Sequence, residues 1–128
     1  MHVLESVLYA EDLVAAREFY VGFLGLEEIS FDETRSLFLR CERSVLILFK
    51  ASKTVIPDSG IPAHGTTGAG HLAFSASEQE IETWRARLAE QNIPIIEEIH
   101  WPRGAHSIYF RDPAGNILEF ATPSLWGL

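Results

Sequence analysis

Three ionisable side chains occupy strand-like segments that open or close the two halves of the chain. Glu5 lies in the first such segment, His71 opens a similar one midway, and Glu119 lies in the last one. Carboxylates and imidazoles are ligands for divalent cations, and a charge on an inward sheet face is costly unless it is paired or binds an ion. Each residue alone is more typical of a solvated carboxylate or a satisfied neutral histidine. Together, Glu5, His71 and Glu119 predict a divalent metal site.

These positions are equivalent because the chain has the pattern of a duplicated β-α-β-β-β unit. In the first copy Asp12 precedes apolar residues at helical spacing, and Gly25 ends that helix. In the second copy the capping box from Ser77 to Glu80 opens a helix that Asn92 stops. Strands are predicted at residues 3–10, 25–31, 34–41 and 44–49, and again at 70–76, 95–99, 105–111 and 116–122.

The fold class that follows is α+β, with two βαβββ modules forming a cupped mixed sheet and the helices on its outer face. We predict a single domain over residues 1–128: module one at 1–50, a Gly- and Pro-rich linker at 51–68 with neither helix nor strand, and module two at 69–128. Because strand side chains alternate between faces, Ile47 takes the place in module one that Glu119 takes in module two. An aliphatic side chain there can neither coordinate an ion nor move a proton.

Composition narrows the class of protein and of partner. The 128 residues are 47% hydrophobic and 22% charged, which suits one globular domain. The net charge of −8 disfavours nucleic acid and anionic bilayers, and no apolar run approaches the length of a membrane span. The single cysteine, Cys41, excludes an internal disulfide and predicts a buried reduced thiol. The first residues lack the pattern of a secretory signal, so we expect a cytoplasmic protein.

Several motifs resemble those of the vicinal-oxygen-chelate superfamily, which includes glyoxalases, bleomycin-resistance proteins and extradiol dioxygenases. The motifs are Tyr9-Ala10-Glu11-Asp12-Leu13, Gly70-His71-Leu72-Ala73-Phe74, and the stretch from Tyr109 to Asn116 that runs into Leu118-Glu119. The resemblance implies a Mn²⁺, Fe²⁺, Mg²⁺, Zn²⁺ or Ni²⁺ ion at Glu5, His71 and Glu119, a small-molecule substrate that chelates it, and a homodimer. At the position of Ile47, glyoxalases have a glutamate.

Further side chains are expected around the ion. Tyr109 would donate a proton to an anionic intermediate and, with Glu5 and Glu119, would complete the catalytic set. His64 would close over the ligand from the linker, and Arg103 would hold a substrate carboxylate. The expected substrate-binding residues are Ile47, Phe49, Ser107, Trp101, His64 and Arg103. The remaining histidines, His2, His100 and His106, are assigned to the surface or the core.

The resemblance leaves three functions open. The leading hypothesis is a glyoxalase-like metalloenzyme, a lyase or isomerase acting on a small oxygen-rich metabolite that chelates the ion. The alternative is a metal-free protein that sequesters a ligand, similar to bleomycin-resistance proteins. Extradiol cleavage of an aromatic ring is the third hypothesis, with one histidine and two carboxylates in place of the usual two histidines and one carboxylate.

Overall fold

The amino-terminal half builds a four-stranded mixed sheet around one helical segment. The computed structural model describes residues 1–57 and 60–128, so Asp58 and Ser59 of the predicted linker lie outside the described residues. The elements are β1 (Glu5–Tyr9), α1 (Leu13–Arg17), a π-helical turn (Glu18–Phe23), β2 (Glu27–Asp32), β3 (Ser36–Cys41), β4 (Ser44–Phe49) and α2 (Ala51–Thr54). The strand order is β1-β4-β3-β2, with β1 parallel to β4 and the other pairs antiparallel.

The first helix begins where its cap predicts and changes type before it ends. The Asp12 carboxylate accepts a hydrogen bond from the Ala15 backbone N–H at 2.9 Å, which satisfies one free donor of the first turn. The continuous helix expected to Gly25 instead widens into a π-helical turn, in which the Leu24 N–H donates to the Phe19 carbonyl at 2.9 Å. Gly25 follows with φ +79°, a backbone conformation that favours glycine.

The carboxyl-terminal half repeats the same order of elements. It contains β5 (His71–Ser75), α3 (Glu78–Glu90), β6 (Glu97–His100), a 3₁₀ turn (Pro102–Gly104), β7 (His106–Arg111), β8 (Ile117–Ala121) and a final 3₁₀ turn (Pro123–Trp126). The strand order is β5-β8-β7-β6, with β5 parallel to β8. The predicted α+β class is confirmed, and its strands form two four-stranded mixed sheets, one in each half. The contacts divide the chain into two compact units, Met1–Gly70 and His71–Leu128.

Two local motifs shape the second unit. Ser77 and Glu80 form the predicted capping box, because the Ser77 hydroxyl accepts from the Glu80 N–H and the Glu80 carboxylate accepts from the Ser77 N–H. In the turn before β8, the buried Asp112 carboxylate accepts from the backbone N–H and the side-chain amide of Asn116, both at 2.8 Å. These contacts fix the start of α3 and the register of β7 against β8.

Alternation along the strands separates a helix-facing side of the second sheet from its opposite face. The Trp84 ring of α3 stacks on the Phe120 ring of β8 with centroids 4.7 Å apart, so Phe120 faces α3 and its neighbour Glu119 faces away. Tyr109 of β7 pairs in register with Glu119 on one side and with Glu97 of β6 on the other. Glu97, Tyr109 and Glu119 therefore share the opposite face.

Two expectations differ from the structure in the first unit. The predicted linker does not begin as irregular chain, because residues Ala51–Thr54 form a short helix in which the Val55 N–H donates to the Ala51 carbonyl. Cys41 is a free cysteine, but it is half-buried at the end of β3 rather than fully buried. Its partial burial raises the pKa of the thiol, which stays protonated at neutral pH.

Within the described residues, every helix is too short or too polar to cross a bilayer.

Candidate functional site

His71 and Glu119 meet on the opposite face of the second sheet. His71 opens β5 and pairs with Ile117 of β8, and the parallel register places Glu119 beside Ala73, two residues further along. The His71 Nε2 and Glu119 Oε2 atoms are 3.2 Å apart. The His71 side chain is about half exposed whereas that of Glu119 is buried, so the pair lies at the edge of the buried region and is open to solvent on the histidine side.

The His71 ring is oriented by a backbone carbonyl. Its Nδ1 lies 3.2 Å from the Ile117 carbonyl oxygen, which can only accept, so Nδ1 carries the proton. In the neutral ring the lone pair then lies on Nε2, which faces the Glu119 carboxylate. Histidine ligands of metals are commonly held in this way, with the second nitrogen donating to a carbonyl or carboxylate.

The buried Glu119 carboxylate contacts His71 and the Tyr109 hydroxyl but keeps one unpartnered oxygen among the described residues. Glu119 is only 5% exposed, and its Oε1 has no hydrogen-bond partner among residues 1–57 and 60–128. A nitrogen lone pair facing a carboxylate oxygen is repulsive unless a cation lies between them. Nε2 and Oε2, 3.2 Å apart, are close enough to bind the same divalent ion. The pair therefore fits a divalent metal ion.

Tyr109 lies beside this pair. Its ring is stacked on that of His71 with centroids 6.1 Å apart and planes inclined by 26°. Burial and the adjacent Glu119 carboxylate raise the pKa of the Tyr109 hydroxyl above its ordinary value. The phenol therefore stays protonated at neutral pH, and it hydrogen-bonds to the Glu119 carboxylate next to the candidate ion.

Two further predicted residues come together in the same unit. The Trp101 indole Nε1–H donates to the hydroxyl of the buried Ser107 at 2.9 Å, and Ser107 shares its strand face with Tyr109. The Trp101 ring is thus held in place by a polar contact. Arg103 lies in the neighbouring 3₁₀ turn, exposed and at φ +68°, and its place in the site stays a prediction.

The first unit holds the other predicted residues. Glu5 is exposed at the start of β1, and Ile47 and Phe49 are buried in β4. The ring of His64 packs edge-on against Phe49 at 5.1 Å, and its Nδ1 forms a 2.6 Å hydrogen bond with the hydroxyl of Tyr9. Joint coordination of one ion by Glu5, His71 and Glu119 stays a prediction. The pairing of Tyr9 with His64 was not predicted, because residues 55 positions apart carry no periodic signal.

Known proteins resemble this chain in sequence and in structure. A family model described as the Glyoxalase/Bleomycin resistance protein/Dioxygenase superfamily matches residues 2–120. The chain belongs to this superfamily. Its membership confirms the resemblance seen in the motifs, and the prediction of a glyoxalase-like metalloenzyme acting on a small metabolite is confirmed at the level of the superfamily.

Individual members of the superfamily are similar over nearly the whole chain. A crystal structure of lactoylglutathione lyase from Agrobacterium tumefaciens is 38% identical, covers 99% of this chain and 97% of its own, and superposes with a TM-score of 0.95. The metallothiol transferase FosB of Staphylococcus epidermidis is 31% identical over 97% of this chain and 83% of its own length. FosB of Staphylococcus saprophyticus matches over a shorter stretch, 39% identical across 43% of this chain and 37% of its own length.

The structure also brings together a second cluster of side chains that could hold a metal ion, and the sequence did not predict it. Glu98, His100 and His106 each place one ligand atom within 4.8 Å of the others. Taken singly, His100 and His106 are predicted to lie on the surface or in the core, and that prediction leaves the cluster out. The predicted β6–β7 hairpin could have revealed the cluster. Glu98 and His100 are two residues apart and therefore lie on the same face of β6, and His106 of β7 pairs directly with His100.

Proposed function

We propose that this superfamily member is a lyase or isomerase that acts on a small oxygen-rich metabolite chelated to a divalent ion held by Glu5, His71 and Glu119. The observation that carries the proposal is the buried Glu119 carboxylate, whose Oε1 is unpartnered in the described chain and whose Oε2 faces His71 Nε2 at 3.2 Å. Two carboxylates and one imidazole would neutralise the ion's charge and leave coordination positions free for substrate oxygens.

The protein side chains around the ion would bind the substrate and move its protons. A bound ion supplies Lewis-acid stabilisation to a developing enolate or oxyanion. The Tyr109 hydroxyl, whose pKa is raised by burial and by Glu119, would donate to the substrate oxygen that gains charge. Because Ile47 cannot move a proton, the proposal assigns proton abstraction to the carboxylates Glu119 and Glu5.

The relatives support the class of reaction. The 38% identical protein from Agrobacterium tumefaciens is named a lactoylglutathione lyase, and it covers 99% of this chain. We extend the lyase class to this protein on that basis, with a thioester or hemithioacetal of a small thiol as the first substrate class to test. Thiol transfer is the second class, supported by the 31% identical FosB protein.

The proposal includes the surroundings of the ion. Phe49, Ile47 and His64 would line the apolar part of the substrate site, and Ser107, Trp101 and Arg103 its polar part. We also propose a cytoplasmic homodimer, in which Glu5 joins His71 and Glu119 from the same chain or from the partner subunit. Unpaired sheet edges favour such pairing of subunits.

Metal analysis combined with turnover tests the proposal. We expect protein purified without chelator to hold a divalent ion at Glu5, His71 and Glu119 and to isomerise the hemithioacetal of glutathione and methylglyoxal to the thioester S-lactoylglutathione, with formation of the thioester as the readout. Glu119→Gln should lose both the ion and the activity, whereas the matched control Glu97→Gln, on the same face beside Tyr109, should keep both. Binding of a cationic glycopeptide that chelator leaves unchanged, with no turnover, would instead support the ligand-sequestering alternative.

A further inference from the structure

The helix-facing side of β6 and β7 carries a cluster of polar groups that is separate from His71 and Glu119. Glu98 faces α3, because both of its carboxylate oxygens accept hydrogen bonds from the Arg85 guanidinium, at 2.5 and 3.2 Å. His100 lies two residues further along β6 and so shares this side, directly opposite His106 of β7. The cluster therefore lies on the other side of the sheet from Glu119 and does not depend on the proposed function.

His106 is the buried member of the cluster, at 3% exposure. Its Nδ1 lies 2.8 Å from Glu78 Oε2, and its Nε2 lies 2.8 Å from Glu98 Oε1. A neutral imidazole has one N–H and one lone pair, so it can donate to only one of these two carboxylates. The other nitrogen must share a cation with its carboxylate, and that cation is either a second proton or a metal ion.

His100 supplies the third ligand atom. Its ring stacks on that of His106 with centroids 4.3 Å apart, and its Nε2 lies 3.7 Å from Glu98 Oε1. The His100 side chain is 75% exposed, which leaves the Glu98 side of the cluster open to solvent. An ion could therefore enter from water and keep a water ligand beside three protein ligands, as in catalytic zinc sites.

We propose that Glu98, His100 and His106 form a second metal site of this protein, with the chemistry of a Zn²⁺ site. Two imidazole nitrogens and one carboxylate oxygen, with an open fourth position, are a donor set that zinc accepts. In this arrangement Glu78 accepts from His106 Nδ1–H and so holds the Nε2 lone pair toward the ion. The site would join the β6–β7 hairpin to the start of α3 through Glu78.

Arg85 is the competing cation in this site. It contacts both oxygens of Glu98 and also the carboxylate of Glu82, and its ion pair holds the pKa of Glu98 at about 2. Because Arg85 keeps its contact with Glu82, it can give up the Oε1 atom of Glu98 and still be paired.

Zinc titration of a protein that lacks the other site tests this proposal. In the His71→Ala protein we expect one equivalent of Zn²⁺ by equilibrium dialysis, and a Co²⁺ derivative with the absorption of a low-coordinate nitrogen and oxygen site. Adding His100→Ala should weaken Zn²⁺ binding at least tenfold, whereas adding His2→Ala, another exposed histidine, should leave it unchanged. Adding Glu78→Gln should weaken binding about tenfold, the usual loss when a histidine ligand loses its supporting carboxylate.

A second readout keeps the proposal falsifiable if a variant folds poorly. Long-range ¹H–¹⁵N spectra of the His71→Ala protein should show that Zn²⁺ shifts the His106 Nε2 resonance while Nδ1 stays protonated. Both His106 nitrogens remaining protonated at saturating Zn²⁺ would overturn the proposal and leave the cluster as a hydrogen-bonded link between α3 and β6. Equal Zn²⁺ affinity with and without His100 would overturn it as well.

Discussion

Replacing Glu119 with glutamine distinguishes a metal ligand from an ordinary ion-pair partner by the sign of the change in stability. Glutamine keeps the volume of the side chain and removes its charge. In metal-free protein the wild-type carboxylate is 5% exposed, with Oε1 unpartnered among residues 1–57 and 60–128. A buried charge without full compensation costs more than a neutral amide of the same size in the same place, by about 1–3 kcal/mol. We therefore expect Glu119→Gln to leave the free energy of unfolding unchanged or to raise it by up to about 1–3 kcal/mol in chelator.

When metal is added, we expect the wild-type protein to become more stable than Glu119→Gln. An ion at one hundred times its Kd stabilises the folded state by about 2.7 kcal/mol. At about 4 °C per kcal/mol for a chain of this size, the wild-type Tm should rise by about 10 °C. In Glu119→Gln the ion keeps His71 but loses its buried carboxylate ligand, so the rise in Tm should fall to a small fraction of the wild-type value.

The assay is thermal and urea unfolding of both proteins with EDTA and with excess Mn²⁺. Glu97→Gln is the matched control, because Glu97 pairs with the same Tyr109 from the other side and is exposed. The control should behave as wild type in both buffers. A Glu119→Gln protein that is less stable by about 2 kcal/mol in EDTA, yet keeps the full Mn²⁺-induced rise in Tm, would refute the assignment of Glu119 as a metal ligand.

Three further changes test separate parts of the structure. Tyr109→Phe removes the donor beside Glu119 and should lower kcat about 100-fold in steady-state assays at saturating metal; an unaltered kcat would remove Tyr109 from the chemistry. Ser77→Ala breaks the capping box of α3 and should cost about 1 kcal/mol in urea unfolding, against no change for the exposed Ser75→Ala. Asp112→Ala removes two hydrogen bonds of the buried Asn116 and should cost about 1–3 kcal/mol, with Asp112→Asn recovering part of the loss; unchanged stability of Asp112→Ala would contradict this role.

The features of the fold that were predictable from sequence depend on contacts between residues close together in the chain. Asp12 and Ser77 mark the starts of α1 and α3 because capping is a contact over three residues. Alternation of side chains along the strand predicts that Glu119 lies on the face opposite to Phe120. The structure agrees, because Phe120 packs on α3. The change from α-helix to π-helix at Glu18 has no comparable local signal, and the sequence predicted one continuous helix there.

The parts of the site that escaped prediction depend on tertiary contacts. The burial of His106 requires two carboxylates from different elements, Glu78 of α3 and Glu98 of β6, and no spacing in the sequence encodes that meeting. The hydrogen bond between Tyr9 and His64 depends in the same way on the path of the segment that follows α2. His71 and Glu119 could be assigned to one site from the sequence because they occupy the same strand positions in module two that Glu5 and Ile47 occupy in module one.

Pulsed EPR of the Mn²⁺-loaded protein tests most directly whether His71 and Glu119 hold the ion. The His100→Ala protein is the sample of choice, because it removes the second histidine cluster from the spectrum. We expect electron spin-echo modulation from a single directly bound imidazole nitrogen, which the additional His71→Ala substitution abolishes. The same nitrogen coupling persisting without His71 would contradict a metal centre at His71 and Glu119.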